Sequence, residues 1–130
     1  MYKILIIEDD KYLAELLRSF FELRGCLAAV MDLGKNGLKW IEEIGKPDLI
    51  LLDVGLPDMD GLEICRVVKE YRQRKKVAVI VMTGMQDEKL REKALSEYKA
   101  DLYVKKPFDL NQFYAQAKEI MDRYEKESLL

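Results

Sequence analysis

The residues with the clearest chemical potential in this sequence stand directly after short apolar runs. One run, LILLD at residues 49–53, ends in the carboxylate of Asp53 and leads into VGLPDMDG, which is rich in turn formers. No cationic residue stands beside this carboxylate in the sequence. Other apolar runs end in polar residues in the same way: Glu8, Asp9 and Asp10 after KILII, Thr83 after VAVIVM, and Lys106 after DLYVK.

These side chains would form one site if the ends of the runs lie side by side. Clustered carboxylates repel one another unless a cation binds them. A set of oxygen ligands suits Mg²⁺, which leaves room for a phosphate, and a hydroxyl and an ammonium facing it would complete a phosphoryl pocket. Asp53 is therefore predicted to act as nucleophile and metal ligand. Taken alone, Asp10 is better explained as a helix N-cap.

The elements that must position this site alternate along the chain. Apolar runs predict strands at residues 3–7, 27–31, 48–52, 77–82 and 101–105, and amphipathic or polar stretches predict helices at 12–25, 36–47, 61–71, 87–98 and 110–127. The first helix is expected to bury a stripe formed by Leu13, Leu16, Leu17 and Phe20. Alternating strands and helices indicate an α/β sandwich with a parallel sheet, whose strands all end at one edge.

Composition narrows the class of protein. The chain has 130 residues, a net charge of −2, no histidine and two cysteines, which excludes a zinc site built from His and Cys and favours one cytoplasmic domain with reduced thiols. The N-terminal apolar run is too short for a membrane segment, so no membrane partner is expected. The cluster YRQRKK (Arg72, Arg74, Lys75 and Lys76) is interpreted as a solvated helix end, so no direct nucleic-acid binding is expected.

The motifs resemble those of the receiver domain of bacterial two-component response regulators. ILIIEDD, PDLILLDVGLPDMDGLEIC, VIVMTG and YVKKPF match four landmarks of that family in order, over residues 3 to about 122. The resemblance implies a flavodoxin-like (βα)5 sandwich of three layers, with a parallel five-stranded sheet of order 2-1-3-4-5. It places the receiver domain at residues 1–125 and leaves residues 126–130 as a C-terminal tail that could begin a linker.

The resemblance also implies a role for each member of the acid cluster. Asp53 matches the phosphoacceptor of the family. Glu8 and Asp9 match its acidic pair, with Asp9 and Asp53 on Mg²⁺ and Glu8 acting through water. Gly55 would offer its backbone carbonyl to the metal, and the backbone amide of Val54 would assist phosphoryl transfer.

Lys106 takes the place of the family's lysine because it immediately precedes Pro107, and in the family that peptide bond is usually cis. Thr83 matches the switch hydroxyl and Tyr103 the switch aromatic. The resemblance therefore implies a signalling switch, not an enzyme with external substrates. A sensor histidine kinase or a histidine phosphotransfer protein would phosphorylate Asp53, and the face of helix 4, strand 5 and helix 5 would change to signal to a downstream partner or to form a homodimer.

Two other interpretations remain open at this point. The chain could be a degenerate receiver that serves only as an interaction module, or a phosphatase like the haloacid dehalogenases, which need a second aspartate two residues after the nucleophile. Gly55 occupies that position here. Two departures from the receiver pattern concern the fourth helix: Lys99 stands where the family usually has glycine, and the segment between Thr83 and Lys106 is one residue longer than usual.

Overall fold

The structure is a computed structural model that describes residues 1–70 and 76–129. Within these ranges, strands and helices alternate as predicted. The strands are β1 (Lys3–Ile7), β2 (Leu27–Met31), β3 (Leu49–Asp53), β4 (Ala78–Thr83) and β5 (Leu102–Lys105). The helices are α1 (Lys11–Glu22), α2 (Gly34–Ile44), α3 (Gly61–Glu70), α4 (Glu88–Ser96) and α5 (Leu110–Ser128). The predicted ends differ from these by a few residues.

The strands form one parallel sheet of order β2-β1-β3-β4-β5. This confirms the predicted fold class and strand order. Every residue of β3 and of β4 is buried, as expected for central strands that are covered by helices on both faces. The strand order reverses between β1 and β3. In parallel sheets of this kind ligands bind at the carboxyl ends of the strands beside such a reversal, so a ligand site is expected at the carboxyl ends of β1 and β3.

The sheet separates two apolar layers because successive side chains of a strand point to opposite faces. On β1, Ile4 and Ile6 belong to the layer that contains α1 and α5, whereas Leu5 and Ile7 belong to the layer that contains α2 and α3. The two cysteines, Cys26 and Cys65, are buried in these layers as free thiols. Each apolar run thus supplies both layers of the core.

The buried stripe of α1 differs from the predicted one. The residues of α1 that are buried are Ala14, Leu17 and Phe21, which share one face at helical spacing, whereas Leu16 is 40% exposed. The prediction was right for Leu17, and Leu13 is partly buried against the same core. It was wrong for Leu16 and it missed Ala14, because it counted only large apolar residues.

Helix α5 ends close to the predicted position. Helix α5 continues to Ser128, so residues 126–128 of the expected tail are helical. The domain boundary at residue 125 stays a prediction, and Leu130 lies outside the described residues.

Of the basic cluster YRQRKK, residues 71–75 also lie outside the described part of the chain, and Lys76 is exposed. None of the described helices is long and apolar enough to cross a membrane, and the cytoplasmic location stays a prediction.

Candidate functional site

The sheet brings the predicted site residues to one edge. Ile7 pairs with Leu52, so the residues that follow them, Glu8 and Asp53, leave adjacent strands at the same level. Thr83 closes β4, in register with Lys105 of β5, and Lys106 follows directly. The carboxyl ends of four strands therefore supply the acids, the hydroxyl and the ammonium, as the sequence predicts.

The three acids Glu8, Asp9 and Asp53 form a cluster. Each offers one carboxylate oxygen to a group whose members all lie within 4.8 Å of one another. Glu8 is 1% and Asp53 is 6% exposed, whereas Asp9 is exposed. Carboxylates this close cost free energy unless a cation joins them, and a hard cation such as Mg²⁺ prefers an all-oxygen set that remains open to water on one side. The residues present therefore fit the predicted metal.

Asp10 lies beside this cluster but has the separate role that the sequence predicts. Its carboxylate accepts hydrogen bonds from the backbone N–H groups of Tyr12 at 3.0 Å and Leu13 at 3.1 Å, which makes it the N-cap of α1. The Asp10 N–H in turn donates to Glu8 Oε2 at 3.1 Å. This second contact, which uses the Asp10 backbone and not its side chain, helps to orient the buried Glu8 carboxylate.

Lys106 supplies the cation that the sequence around Asp53 lacks. Its Nζ lies 2.5 Å from Glu8 Oε1 and 3.4 Å from Asp53 Oδ1. Burial raises the pKa of Glu8 to about 7, although the hydrogen bond from Lys106 opposes the shift. Burial lowers the pKa of Lys106, but its bond to Glu8 and the nearby charge of Asp53 outweigh this and raise it overall. The peptide bond between Lys106 and Pro107 is cis, as expected.

The backbone around Asp53 corrects one expectation. The Val54 N–H donates to the Met82 carbonyl at 3.1 Å as part of the sheet, so it is not available to a phosphoryl group. The Gly55 N–H is the amide that faces the acid, and it donates to Asp53 Oδ1 at 3.1 Å. Gly61 is required beside it, because a Cβ there would lie 2.2 Å from the Asp53 carbonyl oxygen. The resemblance assigned a role only to the carbonyl of Gly55, and neither the contact of its N–H nor the close approach at Gly61 was predicted.

Thr83 and Tyr103 meet at one residue of the loop after β4. Thr83 is 3% exposed, and its Oγ1 accepts a hydrogen bond from the Met85 N–H at 3.0 Å. The Tyr103 hydroxyl donates to the Met85 carbonyl at 3.4 Å. Sequence reasoning missed this link because the contact uses the Met85 backbone, which no side-chain pattern reveals.

Comparison with known proteins gives the class of this protein. A family model of the response regulator receiver domain matches residues 4–118, which is most of the chain. The fold, the acid cluster and the Lys106–Pro107 bond are those that the motifs led us to expect for this family. The chain therefore belongs to the receiver domains of two-component response regulators.

Particular relatives show the same relationship. The alkaline phosphatase synthesis transcriptional regulatory protein PhoP of Bacillus subtilis (strain 168) is 37% identical over 123 residues, which cover 95% of this chain and 50% of that protein. The chain thus spans about half the length of this relative. A CheY-like receiver domain protein from Methanospirillum hungatei JF-1 is 28% identical with a TM-score of 0.88, over 98% of each chain. The BeF3-activated DrrB receiver domain is 32% identical with a TM-score of 0.83, over 94% of this chain and 98% of that one.

Proposed function

We propose that Asp53 accepts a phosphoryl group from a phosphohistidine of a sensor histidine kinase or a histidine phosphotransfer protein, with Mg²⁺ bound by Glu8, Asp9, Asp53 and the Gly55 carbonyl. The observation that carries this proposal is the placement of Asp53. Its buried carboxylate shares a cation-sized cluster with two other acids and lies 3.4 Å from an ammonium. Such a pocket combines a nucleophile with positive charge for a transferring phosphate.

Different residues of the pocket have different roles in the phosphoryl transfer. A carboxylate oxygen of Asp53 attacks the phosphorus in line, a new O–P bond forms, and the N–P bond of the phosphohistidine breaks with its electrons returning to the imidazole. The Lys106 ammonium and the Gly55 N–H lie where they can stabilise the phosphoryl oxygens. Mg²⁺, when bound, supplies further charge neutralisation for these oxygens. Hydrolysis of the resulting acyl phosphate resets the domain.

The response would pass through the loop after β4. A phosphoryl oxygen on Asp53 would accept a hydrogen bond from the Thr83 hydroxyl and draw this side chain toward Asp53, away from the Met85 N–H. Because Tyr103 is bonded to the same residue, a displaced Met85 would release Tyr103 and change the face formed by α4, β5 and α5. A phosphoryl group shifts the equilibrium between the two conformations of this face only if it makes different contacts in each of them. This face would then bind a downstream partner or a second copy of the chain.

A regulatory role fits the site better than turnover of external esters. A phosphatase like the haloacid dehalogenases would need an acid–base aspartate where Gly55 stands, and glycine offers no proton donor there. A purely structural receiver would not need the buried acids or the ammonium beside them, since their desolvation costs free energy. A regulatory role also agrees with the name of PhoP, a transcriptional regulatory protein of which the chain spans about half the length.

Phosphorylation by a small donor tests the proposal. We expect acetyl phosphate with Mg²⁺ to add one phosphoryl group to the wild-type chain and none to Asp53→Asn, as read by intact-protein mass spectrometry. Asp32→Asn is a matched control, because Asp32 is an exposed carboxylate directly after β2, at the same edge of the sheet, and this variant should label like the wild type. An unlabelled wild type would favour the degenerate receiver, and steady hydrolysis of a chromogenic phosphate ester would favour the phosphatase.

A further inference from the structure

The loop between β3 and α3 is tied to Asp53 at its base. The Gly55 N–H donates to Asp53 Oδ1 at 3.1 Å. Gly55 and Asp60 form an isolated antiparallel bridge, and the Gly61 N–H donates to the Val54 carbonyl at 3.1 Å. The loop is therefore a closed hairpin, and a movement of its tip would move the Gly55 backbone beside the acid cluster.

The tip of this loop is held by Asp58. Its Oδ1 accepts a hydrogen bond from the Gly34 N–H at 2.8 Å and its Oδ2 accepts one from the Lys35 N–H at 3.0 Å. These are the first two amides of α2. Leu33, the residue at the N-cap of that helix, makes no side-chain cap. Asp58 thus caps a helix that lies more than twenty residues earlier in the chain.

Close packing reinforces the same junction. A Cβ on Gly34 would lie 2.5 Å from Met59 Cγ, so the start of α2 touches the residue next to Asp58. A Cβ on Gly37 would lie 2.4 Å from Ile7 Cδ1. Helix α2 therefore packs directly against the loop at Gly34, and directly against β1 at Gly37, about one helical turn later. Since Ile7 directly precedes Glu8, the helix connects the two sequence segments that carry the acids.

We propose that Asp58 is a positioning residue for the divalent cation: by fastening the loop to α2, it sets the distance between the Gly55 carbonyl on one side and Glu8 and Asp9 on the other. This inference rests on the proposed function, because it assumes the metal site described above. Asp58 itself does not touch the cation. It acts through the backbone of the loop, in the way that residues around a metal site orient the ligands.

The test is Mg²⁺ binding to the full chain, measured by calorimetry and by the fluorescence of Trp40, the single tryptophan, which lies on α2. Asp58→Ala should raise the Kd for Mg²⁺ on the order of tenfold. Asp58→Asn removes the same charge but keeps one oxygen that can accept a hydrogen bond, so its Kd should lie between those of the wild type and Asp58→Ala. The comparison of these two variants separates geometry from charge, and it remains informative if the alanine variant fails to fold.

Asp87→Ala is the matched control. Asp87 caps α4 with two backbone hydrogen bonds, from Lys89 and Leu90, so its loss also removes one negative charge and one helix cap. It should lower the melting temperature and leave the Kd for Mg²⁺ near that of the wild type. Equal Mg²⁺ affinity in the wild type and both Asp58 variants would overturn the inference and leave Asp58 as a helix cap alone. A wild-type chain that binds no Mg²⁺ would instead overturn the proposed metal site, and this inference with it.

Discussion

Lys106 Nζ lies 2.5 Å from Glu8 Oε1, and the Glu8 side chain is 0% exposed. The ammonium therefore lies closer to Glu8 than to Asp53, whose Oδ1 is 3.4 Å away. The ion pair therefore compensates a charge that the protein has removed from water, and it keeps the ammonium within reach of the phosphoacceptor proposed here.

Loss of this ammonium should destabilise the domain. Lys106→Ala leaves two neighbouring carboxylates without their cation, and an unpaired buried charge is costly, so the free energy of unfolding at pH 8 in EDTA should fall by about 1–3 kcal/mol. Lys105→Ala is the control, because Lys105 is the preceding residue and is exposed, and its change should stay within about 0.5 kcal/mol. Urea denaturation measures both, and equal stabilities of the two variants would show that the ion pair contributes nothing.

Stability should also depend on pH through Glu8. A carboxyl group whose pKa is raised from 4.5 to about 7 by folding binds its proton more tightly in the folded state. This contribution to the free energy of unfolding is complete below about pH 4.5 and is lost as the pH rises through about 7, and it amounts to roughly 3 kcal/mol in EDTA. Glu8→Gln should remove this decline, because the amide does not titrate. Wild-type and variant stability curves that run parallel over this pH range would contradict the shift.

Lys99 is expected to strain the turn after α4. Its φ is 63°, in the left-handed region that glycine adopts at little cost. Lys99→Gly should therefore raise the free energy of unfolding by about 0–1 kcal/mol. Gly25→Ala makes the opposite kind of change at another turn, because it adds a side chain to a residue whose φ is +85°. Nothing lies within 4 Å of the added Cβ, so the free energy of unfolding should fall by about 1 kcal/mol through backbone conformation alone. Thermal melts that rank the two variants in the opposite order would refute this reasoning.

Thr83 should transmit the response without being needed for the transfer. Thr83→Ala removes the hydroxyl that accepts from Met85, yet it leaves Asp53 and Lys106 in place, so phosphorylation by acetyl phosphate should persist. Amide NMR shifts of residues 84–120, with and without beryllofluoride, should change much less in the variant than in the wild type. Equal shift changes in both proteins would mean that the signal bypasses this hydroxyl.

The strands and helices could be predicted because the spacing of apolar residues along an element reflects which of its faces are buried. The runs that became β3 and β4 are short and continuously apolar, which is typical of strands that are covered on both faces. The predicted buried face of α1 was right for Leu17 but missed Ala14, because a small side chain carries little hydrophobic signal. The strand ends predicted which side chains meet, since parallel strands end at one edge.

Contacts that use the backbone were beyond the reach of the sequence. The amide that faces Asp53 belongs to Gly55 and not to Val54, because the N–H of Val54 is used by the sheet. The capping of α2 by Asp58 is equally hidden, since capping patterns in sequence are local and this contact joins distant segments. Such contacts depend on how elements are placed in space, which residue types alone do not specify.

The central claim is that Asp53 is the phosphoacceptor, and the direct measurement locates the modified residue. After incubation with acetyl phosphate and Mg²⁺, borohydride reduction converts an aspartyl phosphate to homoserine, which tandem mass spectrometry can place in the sequence. We predict homoserine at position 53 and at no other position. Homoserine at the position of Asp9 or of any other aspartate, with Asp53 unmodified, would contradict the account.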